Sequence, residues 1–234
     1  MHALEAIVLA GGFGTRLREV VQDVPKPLAP VAGRPFLAWL LDSLQQGGLS
    51  RVVLATGYLS HLVEEAIGTD WRGMSVAYSV EEQPLGTGGA IRQALSATRG
   101  GPVLVLNGDT WLRFDQAAFA AGVGRAGLPL GMALARVPDV TRYGAVSVAN
   151  GRIQAFGEKS ATGPGYINAG VYYLGNPATL DFPAAENFSF EKEILTPAAC
   201  AGQVAGFTDT SDFIDIGIPD DYARAQQEAA GWLA

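Results

Sequence analysis

The feature that most constrains the fold is an alternation repeated across the first 110 residues. Residues 3–10 (ALEAIVLA), 51–56 (RVVLAT) and 102–109 (PVLVLNGD) are apolar runs of strand length. A fourth run, 74–80 (MSVAYSV), alternates as a half-buried strand does. Helical segments lie between them. RPFLAWLLDSLQQGG sets Leu37, Leu40, Leu41 and Leu44 on one face and closes at Gly47 and Gly48. YLSHLVEEAIG is a shorter helix, and TGGAIRQALSAT (87–98) is a third despite two glycines in its first turn. Strands joined by helices run parallel, so this half predicts a parallel sheet with helices on both faces.

The second half changes character. LGMALARV, YGAVSVAN, GRIQAFGE and YINAGVYYLG read as strands, with Asn150-Gly151 as a hairpin turn. SFEKEILTPAA reads as a helix, QVAGFTD and SDFIDIG as strands, and PDDYARAQQEAAGWL as a last helix with Pro219 in its first turn. No linker, repeat or low-complexity segment divides the chain. The expected architecture is one α/β domain over residues 1–234. It is a three-layer sandwich with a mostly parallel mixed central sheet and a small β-rich extension, the halves meeting near residue 110.

Composition removes several function classes. A net charge of −7 and a pI near 4.8 argue against a nucleic-acid binder that works by neutralising phosphates. They leave room for a small phosphorylated ligand held by a few local cations. Cys200 is the one cysteine, and His2 and His61 are the only histidines, so neither a disulfide framework nor a Cys/His zinc site is expected. The start, MHALEAIVLAGG, carries no basic stretch before a short apolar run. No run approaches the roughly 20 apolar residues of a membrane span, so a cytoplasmic protein without membrane attachment is expected. A homo-oligomer is compatible with the sequence, which locates no interface for one. Three of the 16 basic residues are lysines, Lys26, Lys159 and Lys192. A lysine in an arginine-rich chain suits a place that wants a compact point charge.

The loop after the first strand reads LAGGFGTRLREVVQDVPKPLAPV (9–31). It lacks the Gly-Lys pair of a P-loop. It also lacks the third glycine of a dinucleotide fingerprint, where Leu17 stands, and the acid about 20 residues on. The glycines are open to a plain reading as a tight turn. They also clear side chains from backbone N–H groups able to face an anion. Arg16 and Lys26 add two cations of different geometry, and Pro25 and Pro27 keep Lys26 out of a helix. Asp109 ends a buried strand, where α/β sheets bind ligands, and Asp215 follows another apolar run. Either aspartate alone is open to a role as a turn or cap residue. Asn168 lies inside an apolar strand and needs a partner, either a ligand hydroxyl or backbone.

LAGGFGTRLR…VPKPLAPV resembles the signature of the sugar-1-phosphate nucleotidyltransferases, over a resemblance that runs from residue 6 to about residue 225. That resemblance implies a Rossmann-like, GT-A-like fold and transfer of a nucleoside monophosphate from an NTP to a sugar 1-phosphate, with release of pyrophosphate and use of Mg²⁺. It implies a bare catalytic core, with about 1–110 binding nucleotide and about 111–234 binding the sugar phosphate. It places Leu9, Ala10, Gly11, Gly12, Gly14, Thr15 and Arg16 on the nucleotide, with Gln83 and the backbone near Gly88 on the base. It makes Arg16 and Lys26 catalytic cations and Asp109 and Asp215 the metal pair. It places Tyr143, Gly144, Glu158, Lys159 and Asn168 at the sugar phosphate. Lys192, between Glu191 and Glu193, reads as a surface lysine without a catalytic role.

Within the family, LGTGGAI with NGDT and RYG most resembles D-glycero-α-D-manno-heptose-1-phosphate guanylyltransferases, which make GDP-heptose for bacterial surface polysaccharide. That resemblance implies GTP as the nucleotide. Mannose-1-phosphate guanylyltransferases stand next. N-acetylmuramate-1-phosphate uridylyltransferases fit less well, since Gly86 stands where a glutamate is expected. Two other classes compete. A nucleotide-sugar-binding regulator that has lost catalysis is disfavoured by the intact Arg16, Lys26, Asp109 and Asp215. A glycosyltransferase is disfavoured by the single aspartate of NGDTW.

Overall fold

The computed structural model describes residues 3–12, 24–157 and 162–233. The first half supplies β1 (Glu5–Leu9), a hairpin of β2 (Pro30–Val31) and β3 (Arg34–Pro35), α1 (Phe36–Gln46), β4 (Arg51–Thr56), α2 (Ser60–Ile67), β5 (Asp70–Trp71), β6 (Met74–Val80), α3 (Gly86–Leu95) and β7 (Val103–Asn107). The second half supplies β8 (Thr110–Phe114), α4 (Gln116–Ala126), β9 (Leu130–Val137), β10 (Val146–Ala149), β11 (Arg152–Phe156), β12 (Gly165–Leu174), α5 (Thr196–Cys200), β13 (Val204–Phe207), β14 (Thr210–Asp215) and α6 (Pro219–Glu228).

Among the described residues, ten strands form one sheet in the order β10-β11-β13-β9-β12-β7-β1-β4-β6-β5. The four strands β6, β4, β1 and β7 are parallel, as the strand–helix alternation predicts. Both faces of this part are covered. In β1, Ala6 and Val8 join the core under α1, while Ile7 joins the core under α3. β4 and β7 divide in the same way, with Val52, Leu54, Leu104 and Leu106 on one face and Val53, Ala55, Val103 and Val105 on the other. That double burial is why these strands read as continuous apolar runs.

The β-rich half continues the same sheet. β12 pairs antiparallel with β7 on one side and with β9 on the other. Asn150 and Gly151 turn the β10–β11 hairpin with φ of 51° and 70°, the left-handed pair that a two-residue turn asks for. Two elements, α4 and β8, stand outside the expected strands and helices. α4 buries only Phe119 and Val123 among its apolar residues and is otherwise rich in alanine and glycine; Asp115 caps it by accepting from the Ala118 N–H at 2.8 Å. β8 pairs with β14 in a separate two-stranded ribbon.

SFEKEILTPAA is helical but begins with a π turn, Glu191–Leu195, before α5. Pro197 cannot donate into the turn before it. The Thr196 N–H and hydroxyl both reach back to the Glu191 carbonyl. No helix among the described residues is long and apolar enough to cross a membrane.

Candidate active site

The chain leaves β1 for β4 on one side and returns through β6 and α3 to β7 on the other. The carboxyl ends of β1 and β7 therefore flank the point where the strand order reverses, the place where open α/β sheets bind ligands. Backbone crowding explains the glycines there. The Gly108 N–H donates to the Leu9 carbonyl at 2.9 Å, and a Cβ on Gly108 would stand 2.5 Å from that oxygen. A Cβ on Gly11 would stand 2.6 Å from Glu81 Oε1. Glu81 in turn accepts the Leu85 N–H at 3.0 Å, so the carboxylate that stands against Gly11 also closes the loop before α3. Burial raises the Glu81 carboxyl above its ordinary value, and the Leu85 hydrogen bond works against that rise.

A cavity of about 570 Å³ opens over these loops. Leu9, Gly11, Gly12, Gln83 and Asp109 line it, together with Lys26. Gly14, Thr15 and Arg16 lie outside the described residues. Ala10 is buried beneath the wall, its N–H donating to the Ala55 carbonyl at 2.7 Å. Gly88 is not brought to the wall either. Its N–H donates to the Phe188 carbonyl at 2.9 Å, and a Cβ would meet the Phe188 ring at 2.2 Å. Gly86 and Thr87 line the cavity in its place.

At the cavity floor Lys26 begins a short turn, Lys26–Leu28, between the buried Pro25 and Pro27. Its ammonium lies 2.5 Å from Asp109 Oδ2 and 3.7 Å from Asp215 Oδ1. The β8–β14 ribbon brings the two aspartates together, because Asp215 pairs with Thr110, the residue after Asp109. The Ile216 N–H donates to the Asp109 carbonyl at 3.0 Å and extends that register. Asp215 Oδ1 accepts the Gly217 N–H at 2.8 Å. A Cβ on Gly217 would stand 2.2 Å from Lys26 Nζ, so the glycine leaves space for the lysine.

Burial raises the Asp215 carboxyl above the usual carboxylate value, the charge of Asp109 raises it further, and Lys26 opposes both. Two carboxylates crowded this way, with one lysine between them, have the donor chemistry of a Mg²⁺ site completed by phosphate oxygens. Among the described residues no larger cluster of His, Cys, Asp and Glu offers a metal site.

A second cavity of about 270 Å³ adjoins the first, with Asn107 in both walls. Tyr143, Gly144, Asn168 and Asp215 line it. Glu158 and Lys159 lie outside the described residues, although the neighbouring Gly157 lines the cavity. Asn168 sits where the β12–β9 register shifts. Its Oδ1 accepts the Gly170 N–H at 2.9 Å, and its Nδ2 donates to the Tyr172 hydroxyl at 3.0 Å and to Glu191 Oε2 at 3.3 Å. Asn168 is thus held by backbone and side chains and still borders the cavity.

Glu191 is the wall residue that the sequence does not reveal, since SFEKEIL looks like an exposed helix. It is the first residue of the π turn, a type of distortion that recurs at functional sites.

The geometry matches known proteins over nearly its full length. The family described as nucleotidyl transferase matches residues 5–231. The chain is 40% identical to D-glycero-alpha-D-manno-heptose 1-phosphate guanylyltransferase of Aneurinibacillus thermoaerophilus, over 98% of this chain and 100% of that one. It is 36% identical to the enzyme of the same name from Campylobacter jejuni, over 94% of this chain and 97% of that one. Among solved structures, HddC from Yersinia pseudotuberculosis, complexed with GMP-PN, superposes with a TM-score of 0.82 at 35% identity, covering 96% of this chain and 98% of that one. Two cavities that meet at a lysine and two aspartates thus lie within a full-length match of fold and sequence, and the chain belongs to the nucleotidyl transferase family.

Proposed function

We propose that the chain is a guanylyltransferase that joins GTP to D-glycero-α-D-manno-heptose 1-phosphate, giving GDP-heptose and pyrophosphate. The observation that carries this reading is that one ion-paired cluster bridges two adjoining cavities, with Lys26 and Asp109 in the wall of the larger and Asp215 in the wall of the smaller. A triphosphate in the larger cavity and a sugar phosphate in the smaller one would bring their reacting phosphates to that junction. The names of the two full-length relatives support the choice of guanylyl and heptose.

In this reading an oxygen of the sugar phosphate attacks the α-phosphorus of GTP. The bond from that phosphorus to the bridging oxygen breaks, and pyrophosphate leaves with the electron pair. The nucleophile is already an anion and needs no general base, so positioning and charge stabilisation carry the reaction. Lys26 holds a positive charge at the junction, where negative charge builds in the transition state. Arg16 stabilises the charge of the departing pyrophosphate, the role that the family resemblance implies for it. Asp109 and Asp215 would hold Mg²⁺, which supplies neutralisation of the triphosphate charge. Gln83 meets the base. Asn168, Tyr143 and Glu191 meet the sugar, with Glu158 and Lys159 on its hydroxyls and phosphate.

The test is a matrix of GTP, UTP, CTP and dTTP against heptose, mannose and glucose 1-phosphates, scored by pyrophosphate release. The expected best pair is GTP with the heptose 1-phosphate. Best turnover with mannose 1-phosphate while heptose is inert would overturn the sugar assignment. Best turnover with UTP would overturn the base.

A further inference from the structure

Residues 183–190 are stitched to the loop that carries Gln83. The Asn187 side chain donates to the Pro84 carbonyl at 2.7 Å, and the Phe188 N–H donates to the Leu85 carbonyl at 3.0 Å. The Phe190 N–H donates to the Thr87 hydroxyl at 3.0 Å, and Arg92 donates to the Pro183 carbonyl. The glycine run at the start of α3 answers to this segment. A Cβ on Gly86 would stand 2.6 Å from the Phe188 carbonyl, and one on Gly89 would stand 2.2 Å from the Glu186 carbonyl. Glu186 is therefore exposed but held by its backbone against the loop. From there its carboxylate accepts the Gln83 Nε2 at 3.1 Å.

A carboxylate only accepts, whereas a primary amide has one donating and one accepting end. Glu186 thus takes the donating end of Gln83, and Oε1 is left as an acceptor. Gln83 lies between two cavities, with Glu186 in the wall of one and the nucleotide cavity on the other side. We infer that Glu186 is a positioning residue for base selection. It fixes the Gln83 amide with its oxygen toward the base, so that the site takes bases with a ring N–H, as guanine has, over bases with a bare ring nitrogen, as adenine and cytosine have. This rests on the reading of Gln83 as the residue that meets the base. Without the carboxylate, the amide is free to turn and donate to a bare ring nitrogen.

The experiment measures kcat/KM for GTP, ATP, UTP and CTP, and KM for the sugar phosphate, in the wild type, Glu186→Gln, Glu186→Ala and the double variant Gln83→Glu with Glu186→Gln. Both single variants are expected to lower the GTP-to-ATP preference by about fivefold to tenfold, the worth of one hydrogen bond. The sugar-phosphate KM and the melting temperature stay near wild type. The double variant restores an accepting group at position 83, with an amide at 186 to donate to it, and is expected to recover the preference. An unchanged preference in both single variants, a parallel fall for GTP and ATP, or no recovery in the double variant would overturn the inference. Wild-type preference for UTP would overturn the guanylyl reading alone, and the same variants then report on UTP against CTP. Wild-type preference for ATP or CTP would overturn both.

Discussion

Gly217 shows how one missing side chain shapes the site. The Lys26 ammonium passes through the space that a Cβ would fill, 2.2 Å from where it would stand, and reaches both aspartates. The lysine end is flexible, so an added methyl displaces the charge at little cost to the fold. Gly217→Ala is therefore expected to lower kcat by about tenfold or more, as loss of a charge placed for the transition state does. Its melting temperature should stay within a few degrees of wild type. Steady-state pyrophosphate release beside a thermal melt reads both, and wild-type kcat would show that Lys26 need not sit there.

At the scale of elements, the loop before α3 separates two explanations for the same glycines. Contact with the base is what the family resemblance implies for the backbone near Gly88. In the structure the Phe188 ring and the backbone of 186–188 take that space. Gly88→Ala is then a packing defect. It is expected to cost about 1–3 kcal/mol of stability, the usual penalty of overpacking, and to weaken GTP binding only as a consequence. Chemical denaturation of the variant measures the first term. Unchanged stability with a raised KM for GTP would return Gly88 to the base.

The same scale shows what the sequence makes legible. The parallel strands β1, β4 and β7 carry continuous apolar runs, because both faces of the sheet are buried, and α1 carries leucines at helical spacing. α4 carries little, since Phe119 and Val123 are its only large buried apolar residues. The residue pattern makes the two aspartates legible singly, and it is the family resemblance that pairs them. The spacing of the two carboxylates depends on the β8–β14 register, a long-range pairing that local pattern does not announce. Glu191 is hidden for a similar reason. It opens a π turn and lines the smaller cavity, while the local pattern of charges resembles an ordinary surface helix.

Over the whole molecule, one sheet runs through both halves, with β12 hydrogen-bonded to β7 and to β9. The far end of the chain is tied back as well. Trp232 stacks on Trp111 at 4.4 Å and meets Phe36 and Trp39 edge-on, which joins the last residues to α1 and β8. The two cavities are thus parts of one framework, and they meet where first-half Lys26 and Asp109 face second-half Asp215. The central claim is that this meeting point is where the phosphates react. It is tested most directly by pyrophosphate release from GTP and heptose 1-phosphate in Asp109→Ala and Asp215→Ala, each checked for native circular dichroism. The account predicts a fall of about a hundredfold or more in both, with the fold retained. Full activity in either folded variant would contradict it.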